Sequence, residues 1–165
     1  MTGPPIEVVG RGPEINRIVR WFRADGPPTL VIGGPAGVGK STVLAAAVAA
    51  IRGSGVRVLA SSPTEAESRL SYSGLADLLG DEMALAGPSL PRPQGRALAV
   101  AMRLEDPGDR APDETAVARG LLQALRVIAR SGSCLVSIDD LRWLDGPSLA
   151  AVIYAARRLG PGDRI

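Results

Sequence analysis

Thr29-Leu-Val-Ile-Gly-Gly-Pro-Ala-Gly-Val-Gly-Lys-Ser-Thr-Val-Leu44 is the stretch on which the fold turns. Its apolar run, Leu30-Val31-Ile32, reads as a buried strand over about 29–33. A glycine-rich turn follows, and then an alanine-rich helix over roughly 40–52. Within it lies Gly34-x-x-x-x-Gly39-Lys40-Ser41, the P-loop pattern in the strand–loop–helix context that the pattern requires. Gly34, Gly37 and Gly39 allow positive φ and close approach to an anion. The main-chain N–H groups can then form a nest for phosphate oxygens, reinforced by the positive end of the helix dipole. The expected cradle is Gly34, Pro35, Ala36, Gly37, Val38, Gly39, Lys40, Ser41 and Thr42. Lys40 is placed on the β/γ-phosphates, and the Ser41 hydroxyl on Mg²⁺.

Composition sharpens this reading. Of 19 basic residues Lys40 is the only lysine, and all the others are arginine. A compact ammonium on a flexible stem is not interchangeable with a planar guanidinium at such a site. The chain has 165 residues, 45% of them apolar and only 3% aromatic, so it is one domain with a Leu/Val/Ile/Ala core. Net charge is +2, without a basic block or a recognition-helix pattern, so direct DNA binding is not expected. The lack of histidine removes histidine base, triad and histidine–metal chemistry. The single Cys134 excludes an intrachain disulfide and, as it opens an apolar run, reads as packing. No stretch approaches the ~18 apolar residues of a membrane span, and Met1-Thr-Gly-Pro-Pro lacks signal-peptide design, so a cytoplasmic protein is expected.

Residues 1–12 read as an extended N-terminal segment. Pro13 suits a first helical turn, and Ile15, Ile18, Val19 and Phe22 form one helical face that ends at Asp25-Gly-Pro-Pro28. A second short strand is expected over 56–60, and residues 61–70 read as a turn and then a helical start. Helices are expected over Tyr72–Leu79 and Gln94–Arg103, with proline-rich 81–93 a loop between them and 104–112 a polar loop after. Asp113 can cap a helix over 114–130 whose stripe is Val117, Leu121, Leu125 and Ile128. A strand over 133–138, a helix from Pro147-Ser148 to Leu159 and a strand beginning at Arg164-Ile165 complete the chain. Strands alternating with helices predict a parallel α/β sheet.

The strand over 133–138 runs into Asp139-Asp140, about a hundred residues beyond the P-loop. Mg²⁺ takes oxygen ligands and keeps several waters, so Asp139 at the strand end would serve the metal beside Ser41. Asp140 could orient or polarise an attacking water, which makes Asp140 and Lys40 the catalytic candidates. Trp143, Leu144 and Asp145 read as packing plus a helix cap, and Arg157 and Arg158 as a solvated face rather than phosphate sensors.

Val9-Gly10-Arg11-x-x-Glu14, the P-loop, Gly74-Leu-Ala-Asp-Leu-Leu79, Ile138-Asp-Asp-Leu-Arg-Trp-Leu-Asp145 and Ala155-Ala-Arg-Arg-Leu159 form an ordered series. It resembles the N-terminal ATPase module of large LuxR-type transcriptional regulators of actinobacteria, an Orc1-like AAA ATPase close to the STAND NTPases. The resemblance implies a three-layer αβα P-loop NTPase with strand order 5-1-4-3-2. It also implies ATP binding with Mg²⁺, slow switch-type hydrolysis, and Gly10 and Arg11 near the adenine. ATP or ADP and self-association through this module are the implied partners; a DNA-binding domain would lie C-terminal to it. Gly12 stands where that family more often has glutamate. Against that fold, residues 13–165 read as an incomplete domain, cut before strands 4 and 5 and the helical lid. A gap is therefore expected between the P-loop strand and the Asp139 strand, and the isolated chain is expected to fold poorly or to need a partner. Two alternatives remain open from the residues: a small P-loop kinase, and a nucleotide-binding interaction module without turnover.

Overall fold

The computed structural model describes residues 10–24, 27–108 and 111–165. The 1–9 part of the expected N-terminal segment, Asp25-Gly26 of the first helix stop and Asp109-Arg110 of the polar loop lie outside them. In chain order the elements are α1 (Gly12–Arg23), α2 (Lys40–Arg52), β1 (Arg57–Ser61), α3 (Ser73–Leu79) and α4 (Glu82–Ala86). Then come α5 (Arg92–Ala101), α6 (Glu114–Ala129), β2 (Cys134–Ile138) and α7 (Gly146–Ala156). Short 3₁₀ turns lie at Gly87–Ser89, Leu141–Trp143 and Pro161–Asp163.

The chain is α/β, and among the described residues the sheet has two parallel strands, β1 and β2, in register from Arg57 opposite Cys134 to Ser61 opposite Ile138. Parallel strands need a long crossover, and the described residues of 62–133 supply it, largely as helices and turns. The main core joins β1, β2 and α3 to α7; Leu75, Leu79, Leu98, Leu121 and Ile128 are fully buried in it. The expected stripe of α6 is inside, and Asp113 accepts from the Ala116 N–H at 2.6 Å as the expected cap. Gly120 permits the close crossing of α5 and α6, since a Cβ there would lie 2.9 Å from the Gln94 carbonyl oxygen. A second, smaller cluster joins α1 to α2 through Ile18, Val43 and Ala47.

Several expectations are corrected. Residues 29–33 form no strand, and the run is not buried: Leu30 is 39% and Val31 78% exposed. Strand propensity is realised only against a neighbour, and no described strand pairs with this segment. In the 61–70 stretch Ser61 ends β1 and 65–69 make turns without a helical start. The supposed loop over 81–93 holds α4 and a 3₁₀ turn, because its prolines sit where missing N–H groups are harmless: Pro88 in the first turn of the 3₁₀ segment and Pro93 in that of α5. Helix α5 accordingly starts two residues before Gln94, and it ends at Ala101, short of Arg103. Arg164 is left-handed, with φ of 52°, so no strand starts there; its carbonyl nevertheless accepts from the Cys134 N–H at 2.9 Å.

Candidate functional site

The glycine turn delivers the chain to α2 through two left-handed residues, Gly37 (φ 76°) and Gly39 (φ 89°). Gly34 differs from the expectation, since its φ is ordinary; what it supplies is space, because a Cβ there would meet Val38 Cγ1 at 3.3 Å. Gly39 is the N-cap of α2 and offers no side chain to cap it, and the first turn carries no acid. The first N–H groups of the helix have no intrahelical partner and are left for an outside acceptor. Helices α6 and α7, by contrast, each have an aspartate cap. The Lys40 ammonium folds back to donate to the Gly34 and Pro35 carbonyls at 3.0 and 2.9 Å. Arg11 braces the loop from outside, donating to the Val38 carbonyl at 3.1 Å while paired with Glu14 at 2.9 Å. Gly10, beside it, has φ of 78°.

The acidic tip follows β2. The Asp139 N–H donates to the Ser61 carbonyl at 3.0 Å, continuing the pairing with β1. Asp140 is left-handed, with φ of 46°, and its N–H donates to Asp139 Oδ1 at 2.9 Å. That bond fixes the Asp139 carboxylate while leaving its second oxygen uncommitted to this turn. Asp140 is about half exposed, 4.0 Å from Arg142, whose guanidinium stacks 4.8 Å from the centre of the Trp143 ring.

Lys40, Asp139 and Asp140 line one cavity of about 410 Å³. The rest of its wall is mainly apolar, from segment 28–32, α1, α2, β2 and the end of α7. It therefore lies between the unpaired 29–33 segment and β2, where the gap was expected. Ser41 sits exposed in the first turn of α2 and does not line the cavity. Among the described residues no group of three or more Asp, Glu, Cys or His could hold a metal by itself. Carboxylates and an ammonium-bearing residue around one cavity, beside an uncapped helix start, are nevertheless a donor set suited to a polyphosphate with a hard cation that keeps its waters, and the Ser41 hydroxyl lies in the first turn of that helix.

Asp145 does more than the expected capping. It is 1% exposed and accepts from Ser148 N–H at 3.0 Å as the cap of α7. It also accepts from Tyr72 N–H at 2.7 Å, Gly74 N–H at 3.0 Å and the Ser73 hydroxyl at 3.3 Å. Burial pushes its carboxyl upward, but hydrogen bonds from Ser148, Gly74 and Tyr72 together outweigh this and hold it below 3.8. Asp-Gly-Pro-Ser marks a cap in sequence; nothing local marks a reach to residues 72–74. Arg157 and Arg158 are exposed, with Arg158 stacked 3.6 Å from the centre of the Tyr154 ring. Cys134 is fully buried, and burial pushes its thiol up to about 11.

The family profile described as AAA ATPase domain matches residues 7–164. No curated protein and no solved structure matches the chain. No helix among the described residues is long and apolar enough to cross a membrane.

Proposed function

The chain belongs to the AAA ATPase domain family, and from that membership we propose that it binds ATP with Mg²⁺ and hydrolyses it slowly, as a switch. The observation that carries this reading is the shared cavity: the P-loop residue Lys40 and the acidic pair Asp139 and Asp140 line one space beside an uncapped helix start. Main-chain N–H groups of the 34–42 cradle would hold the phosphates, and Lys40 would exchange its two loop carbonyls for phosphate oxygens. Ser41 and Asp139 would hold the cation. Mg²⁺, when bound, neutralises charge on the phosphate oxygens. Asp140 would orient a water and take its proton. Arg11 would position the Val38 end of the cradle and border the adenine.

The LuxR-type regulator is the context we propose for such a switch, with DNA binding supplied outside residues 1–165. The same reading proposes one further parallel strand in the cavity, where it would pair with β2 on one side and with 29–33 on the other. The Arg164 carbonyl, bonded to Cys134 N–H, already satisfies the first donor on that edge. The test is calorimetric titration of the chain with ATP in MgCl₂, followed by phosphate release and by transfer to a panel of small acceptors. Micromolar binding with slow release of phosphate to water supports the proposal. Transfer to another acceptor would establish a kinase instead, and no binding to ATP or ADP would overturn the nucleotide reading.

A further inference from the structure

We propose that Asp145 is a positioning residue of the nucleotide site, holding the Asp139–Asp140 loop in place by fastening it to α3. The inference rests on the reading of Asp139 as a cation ligand and adds a determinant of its orientation. Helix α3 has no cap of its own, since Tyr72 makes no side-chain capping bond. Its leading N–H groups are taken from across the fold: Tyr72 and Gly74 by Asp145, and Leu75 by the Ser148 hydroxyl at 3.0 Å. One carboxylate thus caps two helices, α3 and α7, whose contacts with it are separated by about seventy residues of chain.

The other end of the loop is tied to the same helix. Asp139 N–H bonds the Ser61 carbonyl, and the buried Ser61 hydroxyl donates to Asp77 of α3 at 3.3 Å. Residue 145 is therefore anchored on α3 directly and residue 139 through Ser61 of β1, and only 140–144 span between them. That span is itself tightened by Trp143 N–H to the Asp140 carbonyl at 2.9 Å. Between the anchors Leu144 is pressed onto Gly74, where an added Cβ would lie 2.1 Å from Leu144 Cδ1. Gly74 is not left-handed, so its glycine is required by contact rather than by φ. An unpaired buried donor or acceptor is costly, so the loop cannot leave α3 while keeping these groups satisfied. Displacing α3 or Leu144 must move the acidic tip.

The test compares wild type with Asp145→Asn, Gly74→Ala and the double variant Gly74→Ala/Leu144→Ala. ATP affinity is measured in MgCl₂ and in EDTA, and the ratio of the two isolates the cation's share. Asn keeps one acceptor but turns an N–H₂ toward existing donors. Asp145→Asn and Gly74→Ala are expected to lose at least fivefold of the wild-type ratio while affinity in EDTA stays within twofold. The double variant should recover the ratio, because shortening Leu144 makes room for the new methyl. In a Trp21→Phe background Trp143 is the remaining tryptophan, and its acrylamide quenching should rise in both single variants and return in the double. A wild-type ratio near one overturns the cation reading and this inference with it. A wild-type ratio that survives in both single variants, or equal losses in MgCl₂ and EDTA with no rescue and unchanged quenching, overturns the role of Asp145 alone.

Discussion

Replacing Lys40 by alanine separates ligand binding from folding more cleanly than any other substitution. Among the described residues its ammonium donates only to the Gly34 and Pro35 carbonyls, at 3.0 and 2.9 Å, and both residues are exposed. Water can take over those carbonyls, so the change in unfolding free energy should stay within about 1 kcal/mol. Toward a polyphosphate the same ammonium would make charge-assisted bonds that no water replaces as well. One such bond contributes ~1.5–3 kcal/mol, so ATP affinity should fall about 10- to 150-fold. A fluorescent ATP analogue titrated at fixed salt and MgCl₂ reads the affinity, and urea unfolding of the same samples reads the fold. Lys40→Arg should recover only part of the loss, because the guanidinium keeps charge but not the compact shape. If Lys40→Ala binds ATP within threefold of wild type, the cradle is not gripping phosphate through this residue and the site assignment fails.

Three further outcomes follow from the packing. The Asp145 carboxyl is held below its ordinary 3.8, so it contributes stability that is present above that value and lost as pH falls through the lower folded one. Urea stability of wild type should therefore drop more steeply below about pH 4 than that of Asp145→Asn, and parallel pH profiles would contradict the assignment. Cys134, buried with its thiol pushed up to about 11, should resist maleimide in the native chain and react once urea unfolds it; rapid native labelling would mean that β2 opens readily. Gly120→Ala sets a methyl 2.9 Å from the Gln94 carbonyl oxygen. Overpacking costs ~1–3 kcal/mol and helix propensity returns ~1, so a net loss of up to about 2 kcal/mol is expected by urea unfolding.

What was legible in the sequence depends on how far each determinant reaches along the chain. The start of α2 at Lys40, the stripe of α6 and the Asp113 cap were readable because periodicity and capping act within a few residues. The parallel sense of 57–61 and 134–138 followed from alternation of elements, their adjacency from the strand order that the resemblance implies, and the acidic tip from its place at a strand end. The 29–33 segment misled because Leu-Val-Ile states a preference, whereas a strand is a bond pattern shared by two segments. Proline misled over 81–93 for the converse reason: it breaks helices in their middles and suits their first turns.

The candidate site shows the same division between short and long reach. Lys40 and Asp139–Asp140 could each be named from a local motif, and the structure sets them around one cavity. What holds the acidic pair in place could not be so named, since the Asp145 bonds to Tyr72 and Gly74 cross some seventy residues. Leucine at 144 and glycine at 74 look like ordinary packing in sequence, yet a Cβ at 74 would lie 2.1 Å from Leu144 Cδ1. A motif identifies groups able to do chemistry; their orientation is fixed by contacts that sequence distance conceals. In this chain those contacts converge on α3, so substitutions far from any phosphate, in 72–77, should change cation-dependent binding before they abolish nucleotide affinity.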